Sequence, residues 1–232
     1  MNLAIIPARS GSKRIPKKNI KIFDGKPVIS YSIQAAIKSK KFKKIIVSTD
    51  SKDIAKISNK FGAETPFYRP KKISDDHSST IDVVKHAISY FKNKNINFNN
   101  ICCIYPVAPF VSHNDINKAF KILTYEKKLS FIFSAFRSPS KIERSFFMKD
   151  KNSLEMNFKN FALSRSQDIK DSYFDAAQFY WGSNNSWKNK KNILNSSSKF
   201  IEIPGWRAID IDTKEDWKKA ELMNKYIKNI NF

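Results

Sequence analysis

Cysteine is nearly absent: the chain of 232 residues has two, Cys102 and Cys103, adjacent in an apolar run. Adjacent thiols pair only with strain and have no metal-ligand spacing, so both read as buried, reduced core residues and no disulfide framework is expected. Five glycines exclude a collagenous or glycine-rich filament. No stretch approaches the ~20 apolar residues that span a bilayer. Residues 1–7 lack a charged segment followed by a small-residue cleavage site, so a cytoplasmic location with no membrane partner is expected. Histidine is scarce too. His77, His86 and His113 fall on a loop, in a helix and near a helix cap, with no spacing that suggests a metal or a triad.

Acidic charge is short: 21 Asp and Glu stand against 43 Lys and Arg, a net charge of +22. Basic proteins often bind nucleic acid through its phosphates. Only seven of these cations are arginine, however, and the lysines are spread through nearly every predicted helix and loop. A reader of DNA or RNA would cluster arginine for bidentate contacts, with aromatics interleaved on one face. Non-catalytic nucleic-acid binding is therefore the distant alternative, no nucleic-acid partner is expected, and the sparse arginines are the residues to watch. The 41% hydrophobic and 13% aromatic residues are enough for a sizeable core, and the length fits a single α/β domain over 1–232.

Strand and helix patterns alternate through residue 136. Apolar runs at 3–7, 44–49, 101–105 and 131–136 read as buried strands, and 65–67 as a short one. Between them, helical spacing recurs in four sets. Pro27 opens the first, with Ile29, Ile33, Ala36 and Ile37. Asp50 or Ser51 caps the second, with Ile54, Ile57 and Phe61. Thr80 or Asp82 opens the third, with Val83, Val84, Ala87, Ile88 and Phe91. Ser112 caps the fourth, with Ile116, Ala119, Phe120 and Leu123. This alternation predicts a mostly parallel, doubly wound sheet with helices on both faces. Residues 137–175 break the pattern and read as an inserted arm. Further strands are expected at 178–181 and 200–203, a variable loop at 184–198, and a last helix on Trp217, Ala220, Met223 and Ile227 behind a Thr213/Asp216 capping box.

Three places could carry chemistry. The loop after the first strand, residues 7–19, sets backbone amides, hydroxyls and several cations where ligands bind in open parallel sheets. It is either a polyphosphate cradle or a basic solvated loop. It is not a Walker loop, because Arg14 follows Lys13. In an extended Arg207 to Thr213, Asp210 and Asp212 project onto one face, which suits Mg²⁺; the plainer reading makes Asp212 a helix cap and Asp210 a turn residue. Arg165 could fork onto a carboxylate and Gln178 could hydrogen-bond a polar ligand, or they are a surface arginine and part of an edge strand.

As a set, I-I-P-A-R-S-G-S-K-R-I-P-K-K-N at 5–19, I-I-V-S-T-D at 45–50, the stretch from Ser74 to Asp82, Y-P-V-A-P at 105–109 and D-I-D-T at 210–213 resemble, in order and spacing, the acylneuraminate cytidylyltransferases. S-R-S-Q-D at 164–168 and D-A-A-Q-F-Y-W-G at 175–182 look most like the branch acting on pseudaminic acid. That resemblance implies a Rossmann-like nucleotidyltransferase domain, and transfer of CMP from CTP to the anomeric hydroxyl of a nine-carbon acid sugar, with Mg²⁺. It also implies a homodimer in which the 137–175 arm reaches toward the partner's site.

By the same resemblance, Arg9, Ser12, Lys13, Lys18 and Asn19 grip the CTP phosphates and ribose, with Arg9 and Lys18 on the departing pyrophosphate. Ala8 meets the cytosine, and Thr80 with Ser79 helps select the pyrimidine. Asp210 and Asp212 are the Mg²⁺ ligands. Arg165 and Gln178 lie on the sugar side, Arg165 facing the sugar carboxylate. Tyr105 stands where sialic-acid-specific relatives have a sugar-contacting glutamine, which argues against N-acetylneuraminate. Val107 and Ala177 stand where the pseudaminate branch usually has threonine and glycine, so legionaminate stays open as an alternative. Kdo cytidylyltransferases differ in the loop, where this chain has Pro16-Lys17-Lys18-Asn19.

Overall fold

A computed structural model describes residues 1–75, 78–151, 153–190 and 192–229; His77 lies outside them. The chain runs β1 (Asn2–Pro7), β2 (Ile22–Phe23), β3 (Lys26–Pro27), α1 (Ile29–Ser39), β4 (Lys44–Ser48), α2 (Lys52–Lys60), α3 (Thr80–Lys92), β5 (Asn100–Ile104), α4 (His113–Tyr125), β6 (Phe131–Arg137), β7 (Phe146–Met148), β8 (Leu154–Met156), β9 (Tyr173–Ser183), α5 (Asn184–Asn189), β10 (Ser198–Glu202) and α6 (Lys214–Asn229). Six strands form one sheet in the order β10-β6-β9-β5-β1-β4. All pairings are parallel except those of β9, which runs antiparallel between β5 and β6. The mostly parallel α/β architecture expected from the alternation is what forms, with one correction: residues 178–181 belong to a central strand, not an edge.

Strand periodicity divides the core between the two faces. Ala4, Ile6, Val47, Cys102 and Ile104 face α1, α2 and α4, whereas Leu3, Ile5, Ile46, Ile101 and Cys103 face α3 and α5. The two cysteines therefore point to opposite sides of the sheet, both fully buried and free. Burial pushes both thiols well above their usual range, so neither is a nucleophile. Trp181 and Trp187, both fully buried, satisfy their indole N–H groups on the carbonyls of Ile116 and Ile101.

A third, smaller core governs the site. Ile15, Phe23, Val28, Ile209, Ile211 and Trp217 pack together, joining the loop after β1 to the last extended segment and α6. Phe23 sits edge-on to Tyr31, Phe110 and Trp217. Here the sequence reading needs correction. Pro27 does not open α1; it pairs with Ile22 in the β2–β3 hairpin, whose two-residue turn Asp24-Gly25 has positive φ at both positions. Asp-Gly is the pair that a tight hairpin turn demands, and it is the sequence signal for this hairpin. Residues 65–67 form no strand; only the isolated bridges Ile46↔Glu64 and Thr49↔Tyr68 flank them. The expected loop at 184–198 opens instead as α5, capped by Ser183.

The arm leaves the sheet after β6 and returns at β9, carrying the β7–β8 hairpin. Phe146 and Phe147 are 60% and 68% exposed on it, beside Met148 and Leu154. No helix among the described residues is long and apolar enough to cross a membrane.

Candidate functional site

The carboxyl ends of β1 and β5 open into a cavity of about 660 Å³, within the range of small-ligand sites. The loop after β1 supplies Arg9, Ser12, Lys13, Arg14, Lys18 and Asn19; the opposite wall carries Arg69, Asp75 and Thr80; Tyr105 and Val107 follow β5; Asp210 and Asp212 close the far side. Five cations thus face three carboxylates, the balance that a polyphosphate with a shared metal requires.

The loop is held by contacts that its sequence makes available. Ser51 caps α2, and this leaves Asp50 to accept from the Ser10 backbone N–H (2.8 Å) and hydroxyl (2.7 Å). Asn19, nearly buried, donates its side-chain amide to the Arg9 carbonyl at 2.8 Å, closing the loop on itself. Lys17 takes a left-handed φ of 50° at the turn into Lys18. Ile15 anchors the loop in the third core.

Residues 209–212 show the alternation that their spacing implied. Ile209 and Ile211 are buried, and Asp210 and Asp212 face the cavity. Asp212 is not a helix cap. It pairs with Lys18 at 2.9 Å and Arg14 at 2.7 Å, while Thr213 and Asp216 form the reciprocal capping box of α6. Desolvation works against the Asp212 carboxylate, but Lys18 and Arg14 outweigh it and hold the carboxyl below its ordinary range. Asp210 is pushed the other way, first by desolvation and then by the Asp212 charge. Two carboxylates on one face, one already strained by the other, fit a divalent cation held jointly with phosphate oxygens. Among the described residues there is no group of three or more His, Cys, Asp or Glu that could hold a metal without such help.

Of the residues expected at the nucleotide, Arg9, Ser12, Lys13, Lys18, Asn19 and Thr80 line the cavity, as does Tyr105 from the sugar-side set. Thr80 and Tyr105 share a hydrogen bond of 2.9 Å between their hydroxyls. Ala8 is fully buried, with its N–H committed to the Ser48 carbonyl at 2.9 Å. Ser79 caps α3, accepting from the Asp82 N–H and donating to the Asp82 carboxylate, so Thr80 is the hydroxyl at the cavity. Gln178 is buried and donates to the Arg207 carbonyl at 2.6 Å, bracing the segment that leads to Asp210. Arg165 is on the arm, outside the cavity lining, in an exposed pair with Asp168.

Arg69 was missed. Its side chain is 6% exposed and lines the cavity, yet Nε and one terminal nitrogen have no hydrogen-bond partner. Burial pulls its pKa down, opposed by the Asp50 charge and aided by Arg9. A buried guanidinium with unused donors calls for an oxygen ligand. The signal was available: Arg69 is one of only seven arginines, in a chain whose basic surface is otherwise lysine.

A phosphate-compatible loop at the end of the first strand of a parallel sheet, facing a carboxylate pair, defines a nucleotide-dependent transferase site. The cytidylyltransferase family model matches residues 3–224, and the chain belongs to that family. A pseudaminic acid cytidylyltransferase of Campylobacter jejuni is 38% identical over 225 residues, covering 97% of this chain and 96% of that protein. The CMP-N,N'-diacetyllegionaminic acid synthase of Legionella pneumophila is 30% identical over 95% of both chains. Among solved structures, a CMP:2-keto-3-deoxy-manno-octonic acid synthetase complexed with CTP superposes with a TM-score of 0.71 at 14% identity, over 97% of this chain and 98% of that one. At that identity, the last match speaks for the fold alone.

Proposed function

We propose that this protein transfers CMP from CTP to the anomeric hydroxyl of pseudaminic acid, releasing pyrophosphate. The observation that carries this reading is the cavity itself, in which Arg9, Lys13, Lys18 and Arg69 face Asp210 and Asp212 across a space of nucleotide size. The family match and the Campylobacter relative support it and point to the sugar.

In this reading the anomeric oxygen attacks the α-phosphorus as the bond to the β-phosphate oxygen breaks, and the protein's contribution is placement and charge neutralisation. Arg9, Lys13 and Lys18 hold the triphosphate and stabilise the departing pyrophosphate. Arg69 offers its two unused donors to an oxygen of the nucleotide, and Thr80 fixes the nucleotide from α3. Asp210 and Asp212 would hold Mg²⁺, which when bound supplies positive charge at the reacting phosphate. The apolar arm surface around Phe146 and Phe147 belongs in this reading to a homodimer contact.

Replacing Asp210 or Asp212 with alanine is expected to lower kcat by roughly 10²-fold or more, with the circular dichroism of the folded protein unchanged. Near-normal turnover in either variant would contradict the assignment.

A further inference from the structure

β9 carries a strained irregularity beside the cavity. Phe133 pairs with Tyr180 and Ala135 with Asp175, so Ser134 alone on β6 opposes residues 176–179 on β9. Within that bulge Ala177 takes a left-handed φ of 49°, a conformation that costs any residue with a Cβ. Such strain persists where the surrounding structure needs a shape that a regular strand would not give, and bulges re-aim side chains next to active sites.

The bulge brings two residues five apart in sequence into contact. Tyr180 donates its hydroxyl to one Asp175 oxygen at 2.7 Å, and the Ala177 N–H donates to the other at 2.9 Å. The Tyr180 ring lies 5.3 Å from that of Tyr105, whose hydroxyl meets Thr80. Thr80 and Tyr105 line the cavity, so an ordered chain of contacts leads from its wall to Asp175.

Asp175 itself is exposed to solvent. Asp175 does not itself line the cavity, but Thr80 and Tyr105 in this chain of contacts do, and the Asp175 charge adds to the rise that burial first causes at Asp210 and Tyr105. In a chain of net charge +22, the groups that act on Asp175 are Tyr180 and Ala177, with no lysine or arginine of the described residues among them. A carboxylate has about four acceptor directions, and two are taken.

Resting on the reading of the cavity given above, we propose that Asp175 is a specificity-determining residue for the acid sugar. It accepts a hydrogen bond from a neutral donor of the sugar, an N-acyl amide N–H or a hydroxyl, and Tyr180 is the positioning residue that aims it. The same charge repels the sugar's own carboxylate, so the acid end is steered to the cations and the amide-bearing end to Asp175.

Steady-state turnover with pseudaminic acid varied at saturating CTP tests this directly. Asp175→Ala is expected to raise the KM for the sugar by roughly ten- to hundredfold, the effect of losing a charged hydrogen bond, and Tyr180→Phe by about fivefold. The Kd for CTP, measured by calorimetry, stays within about twofold of the parent in both. Asp175→Asn, which keeps the shape and part of the acceptor capacity, falls between parent and Asp175→Ala and covers the case in which the alanine variant fails to fold. An unchanged sugar KM in the folded variants would overturn the assignment, and so would a loss of CTP affinity equal to the change in sugar KM. A parent protein that binds CTP but turns over no acid sugar would overturn the proposed function and this assignment together. An active parent with indifferent variants would overturn this assignment alone.

Discussion

The Lys18 ammonium lies 2.9 Å from the Asp212 carboxylate and 2.6 Å from the Ile211 carbonyl, tying the loop after the first strand to a segment 194 residues further along the chain. Both residues line the cavity, and the apolar cluster beneath them contains Ile15 from one segment and Ile211 from the other. The loop after β1 and the Asp210–Asp212 segment are thus parts of one packed unit, and loss of either partner is felt by the other.

Lys18→Ala should lower kcat/KM for CTP by roughly tenfold to a hundredfold, the range for truncating one partner of a charge-assisted hydrogen bond. Lys18→Arg keeps the charge but not the geometry and is expected to recover only part of it. Initial rates with CTP varied measure both.

Ala177 pays for its left-handed backbone, so Ala177→Gly should stabilise the protein by about 0.5–1 kcal/mol, the relief of strain less the added freedom of the unfolded chain. Urea unfolding of parent and variant gives the difference. A destabilised variant would mean that the Ala177 methyl contributes packing that outweighs the strain.

His86 makes stability fall on mild acidification. Burial lowers its pKa from 6.5, and the Arg69 and Lys72 charges lower it further; its ring lies edge-on to Phe67 at 4.8 Å. The sign follows from linkage: a depressed folded value means that the unfolded chain takes up the proton first, so stability is complete above pH 6.5 and declines as pH drops from there toward the folded value. His86→Gln should flatten the dependence of Tm on pH between about 7 and 5, measured by thermal unfolding.

The arm gives a further expectation. With Phe146, Phe147, Met148 and Leu154 exposed together, the protein should be a dimer by light scattering at micromolar concentration, and Phe146→Ser with Phe147→Ser should shift it to monomer. A monomeric parent would remove the homodimer from the account.

Much of this architecture was legible in the sequence because burial imposes period. Strands buried on both faces leave continuous apolar runs, and serine caps announce α2 and α4, whereas α3 is capped by Ser79, one residue before the expected start at Thr80. The Asp210–Asp212 pair was legible for the same reason, since Ile209 and Ile211 must face inward. What was not legible depended on tertiary pairing. The β2–β3 hairpin is too short for periodicity, and the central place of β9 is fixed by neighbours distant in sequence. Arg69 precedes a proline in a segment without regular structure, and only the fold shows that its guanidinium is buried against the cavity. Ala177 stands where the resembled branch usually has glycine, and its positive φ explains why glycine suits the position.

Pyrophosphate release tests the central claim most directly, with CTP, UTP, ATP and GTP each offered against pseudaminic, legionaminic, N-acetylneuraminic and Kdo acids in the presence of Mg²⁺. The account expects turnover with CTP and pseudaminic acid, at a kcat/KM at least about tenfold above any other pair, and a CMP-sugar formed in equal amount to the pyrophosphate. Turnover that prefers another nucleotide, or pyrophosphate released with no sugar conjugate, would contradict it.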